Sequence, residues 1–119
     1  MPRYDNIQVN TGGVIPNEWN DIDTVAIQST VDLPKYTILL YDNTNNVYVP
    51  ANHNQNFNEN SNIVILAQDI KSTNTTATVF TKAVLNLNYL YVLNNLNQVV
   101  QVNPNNVNLK LHPRFKIAN

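Results

Sequence analysis

The chain has 119 residues, a net charge of −1 and only 13% charged residues. This length predicts one domain, and the lack of a basic surface disfavours nucleic acid as a partner. Cysteine is absent, which excludes disulfides and thiolate metal sites. The sequence begins without the apolar stretch of a signal peptide and contains no apolar run of membrane-spanning length. We therefore expect a protein made in the cytoplasm that does not insert into a bilayer.

Asparagine dominates the polar residues and makes up roughly a fifth of the chain, several times its usual share. Asparagine tolerates turns and left-handed backbone, so its clusters mark loops. A low-complexity, disordered chain is the competing interpretation. It is disfavoured because 43% of the residues are hydrophobic and they fall in patterned runs.

Residues 1–22 contain few large apolar side chains and are interrupted by Gly12-Gly13 and Pro16. Such a segment cannot bury enough surface to offset the entropy lost on ordering. We therefore predict an extended N-terminal arm, residues 1–22, with the glycine pair as its hinge, before a β-rich body of residues 23–119. One stretch of the arm alternates as a strand in need of a partner does: Ile7, Gln8, Val9, Asn10 and Thr11.

The body begins with a predicted half-buried strand, in which Val25, Ile27 and Val31 occupy odd positions. Residues 36–41 and 47–49 then predict a hairpin around the polar loop 42–46, and Pro50 closes it. Residues 51–62 predict an exposed, asparagine-rich loop.

The next two segments also predict strands. Residues 63–67 form a short continuous apolar run, which indicates a fully buried strand. Residues 76–85 predict a further strand with Ala77, Val79 and Thr81 on one face.

The last third of the sequence is less regular. Leu87, Leu90 and Tyr91 have helical spacing, so a short helix is possible over 86–92, and residues 98–102 could form a strand. Asn103-Pro104 is typical of a helix N-cap followed by proline, yet the alternation over 107–111 fits a strand. We favour a helical turn there and an extended segment at 114–117. The expected fold is mainly β with little helix.

The sequence offers little for catalysis or metal binding. His53 and His112 are isolated, and Asp21 and Asp23 are best interpreted as part of a solvated acidic loop. No serine lies in a nucleophile elbow, and the two adjacent glycines cannot form a phosphate-binding loop. We therefore expect no enzyme activity, no metal, no cofactor and no small-molecule substrate.

Three aromatic residues have two interpretations each. Trp19 is either an anchor that holds the arm on the body or an interface hot spot, a role in which tryptophan is enriched. Tyr89 and Tyr91 could form a stacking platform for sugars or bases, but ordinary packing in a small β domain is the better interpretation.

Three motifs follow one another in the middle of the chain: Leu33-Pro34-Lys35-Tyr36-Thr37-Ile38-Leu39, Tyr48-Val49-Pro50 and Val64-Ile65-Leu66-Ala67-Gln68-Asp69-Ile70. An alternating segment, residues 77–86, comes next. Over residues 24–93 this order resembles the lambda D-like head decoration proteins of tailed bacteriophages, whose pattern is L-P-x-G-T-x-L, Y-V-P and G-I-L-A-x-D-V. The chain departs from that pattern where Tyr36 and Val64 replace glycine.

The resemblance implies a homotrimer at the threefold points of an expanded capsid, on the outer surface of the virion. Its partner would be the major capsid protein, with a strand of which the arm would pair. The capsid-binding residues would then be those of the alternating stretch, together with Trp19. The expected role is to cement the head against internal DNA pressure. Two alternatives remain open: the capsid-anchoring base of a head fibre and a small carbohydrate-binding module.

Overall fold

A computed structural model describes residues 12–118 of the chain. The fold is 44% strand and 6% helix, which confirms the prediction of a mainly β protein with little helix. Nine strands lie in the described part: β1 Val14–Ile15, β2 Asp21–Ala26, β3 Ile38–Asp42, β4 Val47–Pro50, β5 Ile63–Leu66, β6 Thr76–Leu85, β7 Tyr91–Leu93, β8 Val99–Gln101 and β9 Phe115–Ile117. Two short 3-10 turns, Leu87–Tyr89 and Pro104–Asn106, complete them.

Strand β6 is the axis of the molecule, because four strands pair with it. Its first half pairs with β2 and β5, and its second half with β1 and, in parallel, β9. The side chain of Asn20, which lies between β1 and β2, bonds to both Ile15 and Val84. Therefore β1 and β2 follow one edge of β6, while β5 and β9 follow the other.

Five of the strands form a closed ring. The pairings run from β2 through β6, β5 and β3 to β4. After β2 the chain continues to Ile27, which forms a parallel bridge with Tyr48 on β4. The backbone N–H of Gln28 donates to the carbonyl of Tyr48 at 3.0 Å. Closure satisfies backbone groups that an open sheet would expose at these positions.

The interior of the ring is one of two hydrophobic cores. This inner core consists of Ile27, Leu33, Leu39, Val64, Leu66, Ile70, Ala77, Val79 and Leu93. The outer core lies between the outside of the ring, the β7–β8 ribbon and the C-terminal segment. It consists of Val14, Ile38, Ala51, Phe57, Ile63, Ile65, Ala83, Leu85, Leu87, Leu90, Val92, Val102, Leu109 and Phe115.

Because β6 contains a β-bulge, its side chains pack in both cores. The register shifts so that Asp21 opposes Lys82 while Ile22 opposes Phe80, which leaves Thr81 without a partner on β2. An extra residue reverses the alternation of side chains along a strand. Val79 therefore points into the inner core, whereas Phe80 and, beyond the bulge, Ala83 contact the outer core.

Strand β5 confirms the prediction of a fully buried strand. Ile63 and Ile65 belong to the outer core, and Val64 and Leu66 to the inner core. All four residues are buried. A strand covered on both faces has apolar residues at every position, which accounts for the continuous run in the sequence.

The predicted hairpin is confirmed as β3 and β4, joined by an asparagine-rich turn. Asp42 begins the turn, and its carboxylate accepts the N–H of Thr44 at 2.9 Å. Asn46 ends it with a φ of 57°, a left-handed backbone that asparagine tolerates. The loop over 51–62 has no strand, as predicted, but it is not exposed throughout, because Phe57 is buried in the outer core.

The C-terminal third contains short turns and strands. The predicted helix over 86–92 is only a 3-10 turn of three residues, and Tyr91 already starts β7. Asn103 caps the 3-10 turn that follows it by accepting the N–H of Asn105 at 3.0 Å, so the helical interpretation is confirmed there. The extended segment at 114–117 corresponds to β9.

The second half of the segment interpreted as an arm, residues 12–22, contacts the body. Val14 is buried, and β1 pairs with the end of β6. Gly13 lies so close to the 3-10 turn Leu87–Tyr89 that an added Cβ would be 2.7 Å from the carbonyl oxygen of Tyr89. The backbone at the glycine pair is therefore packed tightly against the body. The predicted alternating stretch, Ile7 to Thr11, lies outside the described residues.

Within residues 12–118, no helix combines the length and the hydropathy that a membrane crossing requires.

Candidate functional site

A rigid turn positions Trp19 between β1 and β2. The side-chain oxygen of Asn17 accepts the N–H of Trp19 at 2.8 Å, and its carbonyl accepts the N–H of Asn20 at 3.0 Å. The amide of Asn20 then donates to Ile15 O at 2.9 Å and accepts the N–H of Val84 at 3.0 Å. Asn17 therefore orders the turn itself, and Asn20 fixes it to the edge of β6 by bonding to a backbone group that the ladder leaves free.

The indole ring of Trp19 lies against two lysines. The ammonium nitrogen of Lys82 on β6 is 4.8 Å from the ring centroid, and that of Lys116 on β9 is 4.5 Å from it. Both distances are within the range of a cation–π interaction. Trp19, Lys82 and Lys116 are called the tryptophan cluster below.

Strand alternation places the tryptophan cluster on the surface. Lys116 pairs in register with Val84, and its neighbour Phe115 pairs with Ala83. Phe115 and Ala83 belong to the outer core. Because successive side chains point to opposite faces, Lys82 and Lys116 project from the face that the outer core does not cover.

The lysines of the tryptophan cluster have no acidic partner in the described part of the chain. Among residues 12–118 the one ion pair joins Lys71 and Asp32 at 3.6 Å. Neither ammonium group of the cluster forms an ion pair within this range, although Asp21 opposes Lys82 across the β2–β6 pairing. Such a surface favours carboxylate-bearing partners.

The structure brings Trp19 onto the body and thereby supports its role as an anchor. Its ring is only half-buried, so it also remains accessible. Its role in binding a capsid stays a prediction. Sequence reasoning selected Trp19 but missed both lysines, because they contact it from strands distant in sequence and no local pattern marks them.

The two histidines differ in their surroundings. His112 is buried in a turn; its Nε2 lies 2.9 Å from Ser61 O, and its Nδ1 accepts the N–H of Arg114 at 3.1 Å. These partners assign Nε2 as the protonated nitrogen. Nδ1 of His53 is buried without a hydrogen-bond partner. His112 thus joins two loops, and this arrangement is structural.

The acidic pair lies elsewhere than predicted. Asp21 and Asp23 are exposed, but they belong to strand β2 and not to a loop. Among residues 12–118, no three or more histidine, cysteine, aspartate or glutamate side chains are grouped so that they could hold a metal ion.

The tyrosines predicted as a possible platform do not stack on each other in the described structure. Tyr89 is 40% exposed, whereas Tyr91 starts β7 and is half-buried. A different pair is in contact: Tyr41 and Tyr48 oppose each other in the hairpin, with ring centroids 5.2 Å apart in an edge-to-face arrangement. The hairpin register could have identified this pair.

A comparison with models of known protein families gives no match, and a search of curated proteins finds none either.

A double-mutant cycle would measure the interaction within the tryptophan cluster. Trp19→Leu and Lys116→Met should show a coupling of about 0.5–1 kcal/mol in the free energy of unfolding, as for an exposed cation–π pair. Urea unfolding followed by circular dichroism gives the four values. The same cycle with Lys110→Met, a lysine for which no contact with Trp19 is found, is the control. Equal coupling in the two cycles would show that Lys116 has no specific interaction with the ring.

Proposed function

We propose that this protein is a capsid decoration protein of a tailed bacteriophage and not an enzyme. It binds as a homotrimer to the major capsid protein on the outer surface of the expanded head. Its action is mechanical: many bound copies bridge neighbouring shell subunits, and their binding free energy stabilises the assembled shell against rupture.

The observation that carries the proposal is that the first and third motifs of the resemblance meet in one hydrogen-bonded unit. Leu33 and Ile70 exchange two backbone hydrogen bonds, at 3.1 and 2.9 Å. The N–H of Lys35 donates to the carboxylate of Asp69 at 2.8 Å. The hydroxyl of Thr37 donates to the carbonyl of Pro34, also at 2.8 Å. The proline, threonine and aspartate of the pattern thus have defined structural roles here.

The departure at Tyr36 also fits the resemblance. Tyr36 has a φ of 76°, in the left-handed region that favours glycine. This is the position at which the family pattern has glycine. Tyr36 therefore has the backbone conformation for which glycine, the residue of the pattern, is best suited. The phenol group of Tyr36 packs against the outer core and lies next to the backbone of Gly12.

The backbone at Tyr36 gives a testable result. Because alanine is strained at positive φ and glycine is not, Tyr36→Gly should be more stable than Tyr36→Ala by about 1 kcal/mol. Both variants lose the same ring contacts, so their difference isolates the backbone effect. Urea unfolding measures it. An alanine variant as stable as the glycine variant would contradict the left-handed backbone.

The attachment mechanism follows from the order of elements along the chain. The arm precedes β1, and β1 lies beside the turn that carries the tryptophan cluster. An extended arm segment can add to a strand edge of a partner, with Ile7 and Val9 on one face and Gln8 and Asn10 on the other. Trp19 and its lysines then supply a second contact next to the arm.

Co-sedimentation with heads tests the proposed function. Purified protein is mixed with expanded and with unexpanded empty heads of the phage whose genome encodes this chain. We expect binding to the expanded heads and little to the unexpanded ones, because coupled ordering of the arm suits a surface formed on expansion. Equal absence from both pellets would overturn the proposal.

A further inference from the structure

In the described structure, β2 and β9 each pair with no named strand other than β6, and the ring closes only beyond β2, where Ile27 meets Tyr48. β2 pairs with β6 along its length, and β9 also pairs with β6. They lie on opposite edges of β6, so their outer edges face away from each other. Unpaired strand edges are templates for further pairing.

A cleft of about 430 Å³ lies beside β9. The carbonyl of Arg114 and the N–H of Ala118 bond to β6, both at 2.9 Å. By strand alternation, the backbone groups of Phe115 and Ile117 then point away from β6. Phe115 is fully buried, so those of the partly exposed Ile117 are the ones available at the outer edge. The cleft is lined by Leu87, Val107, Asn108, Leu109, Lys110, Lys116 and Ile117.

The start of β2 has the complementary pattern at Asp21, Ile22 and Asp23, although the carboxylate of Asp23 also accepts the N–H of Thr24 at 2.8 Å. Asp21 and Asp23 are exposed, and Ile22 between them is 62% exposed. Alternation places Ile22 on one face of the strand and the two aspartates on the other. On β9, Ile117 contacts the outer core while Lys116 projects from the opposite face.

We propose that β2 of a second copy of this chain pairs with the open edge of β9 and occupies the cleft. In this arrangement Ile22 shares a face with Ile117, while the aspartates share the other face with Lys116 and approach Lys110. Both the apolar and the charged positions match because the two strands alternate with the same period. Lys116, which forms no ion pair within residues 12–118, thereby acquires an acidic partner.

The contact is heterologous, because β2 of one copy meets β9 of the next. Such contacts form closed rings when the rotation between copies closes. The inference deepens the proposed function by naming the trimer interface, and it rests on that function only for the number of copies. Its tests use the protein in solution without heads, so that the two proposals can fail separately.

Engineered cysteines test the pairing directly, because the chain has none of its own. The variant with Ile22→Cys and Ile117→Cys should form a disulfide-linked ladder beyond the dimer under mild oxidation. The control pairs Ile22→Cys with Leu96→Cys, which exposes a thiol at another site. It should give no ladder beyond the dimer. Monomers alone from the first variant, or equal ladders from both, would overturn the proposal.

A charge exchange tests the same interface without covalent capture. Lys110→Glu with Lys116→Glu, and separately Asp21→Lys with Asp23→Lys, should each weaken self-association by about tenfold or more. The variant with all four substitutions should regain most of it, since opposite charges again face each other. Sedimentation equilibrium measures the association constants. Failure of the fourfold variant to recover, or association unchanged in the twofold variants, would overturn the interface.

Discussion

Replacement of Phe57 by alanine is expected to lower the free energy of unfolding by about 3–5 kcal/mol. The side chain is 2% exposed and is among the largest fully buried ones in the described chain. Its N–H donates to Asn106 O at 2.7 Å, and its carbonyl accepts the N–H of Asn108 at 2.8 Å. The phenyl group of Phe57 thus packs in the outer core, while its backbone holds the 51–62 loop against the C-terminal segment.

The neighbouring Asn56 supplies the control for this substitution. It is exposed, so Asn56→Ala should change the free energy of unfolding by no more than about 0.5 kcal/mol. Urea unfolding monitored by the fluorescence of Trp19, the one tryptophan of the chain, measures both variants. A loss below about 1 kcal/mol for Phe57→Ala would mean that the loop does not close the outer core.

Deletion of residues 2–11 is expected to abolish or greatly weaken attachment to expanded heads while the melting temperature stays nearly unchanged. The cores described above use residues from Val14 onward, so the body retains them. The loss of attachment follows from the proposed pairing of the arm with a capsid strand. Co-sedimentation and thermal melting by circular dichroism measure the two effects.

A substitution within the arm separates strand pairing from simple contact area. Val9→Pro removes a backbone donor and fixes φ at a value poor for pairing, so it should act like the deletion. Val9→Thr keeps the donor and the β-branched shape, and it should attach nearly as the natural protein does. If the truncated protein attached with unchanged affinity, the binding surface would lie on the body, with the tryptophan cluster as the first candidate.

Local patterns predicted the elements whose formation depends on neighbours in sequence. The apolar run at β5 indicated burial on both faces, and the asparagine-rich turn indicated the β3–β4 hairpin. The capped turn after Asn103 had its own local signal. In each case the residues that decide the structure lie within a few positions of one another.

Long-range pairing produced the features that the sequence did not reveal. The bulge at Thr81 accompanies the change of β6 from packing against the inner core to packing against the outer core. No residue near Thr81 indicates this reversal in the sequence. Closure of the ring depends on Ile27 meeting Tyr48, and burial of Phe57 depends on the segment after Asn103. An asparagine-rich context made Phe57 look exposed, since composition does not show what a loop packs against.

The candidate site was predictable only in part. A lone tryptophan indicated Trp19, but the sequence could not show which of the lysines approach it. The left-handed backbone at Tyr36 was not predicted, because tyrosine gives no local signal for a positive φ. The complementarity of β2 and β9 required knowledge of both open edges, and therefore of the sheet order.

The number of copies bound per expanded head is the most direct test of the proposed decoration function. Purified protein is added in increasing amounts to empty expanded heads, unbound protein is removed, and the ratio to the major capsid protein is quantified. We expect saturation near about one copy per shell subunit, since a trimer at a threefold point meets three shell subunits. Failure to bind at any concentration, or uptake that rises without saturation, would contradict the proposed function.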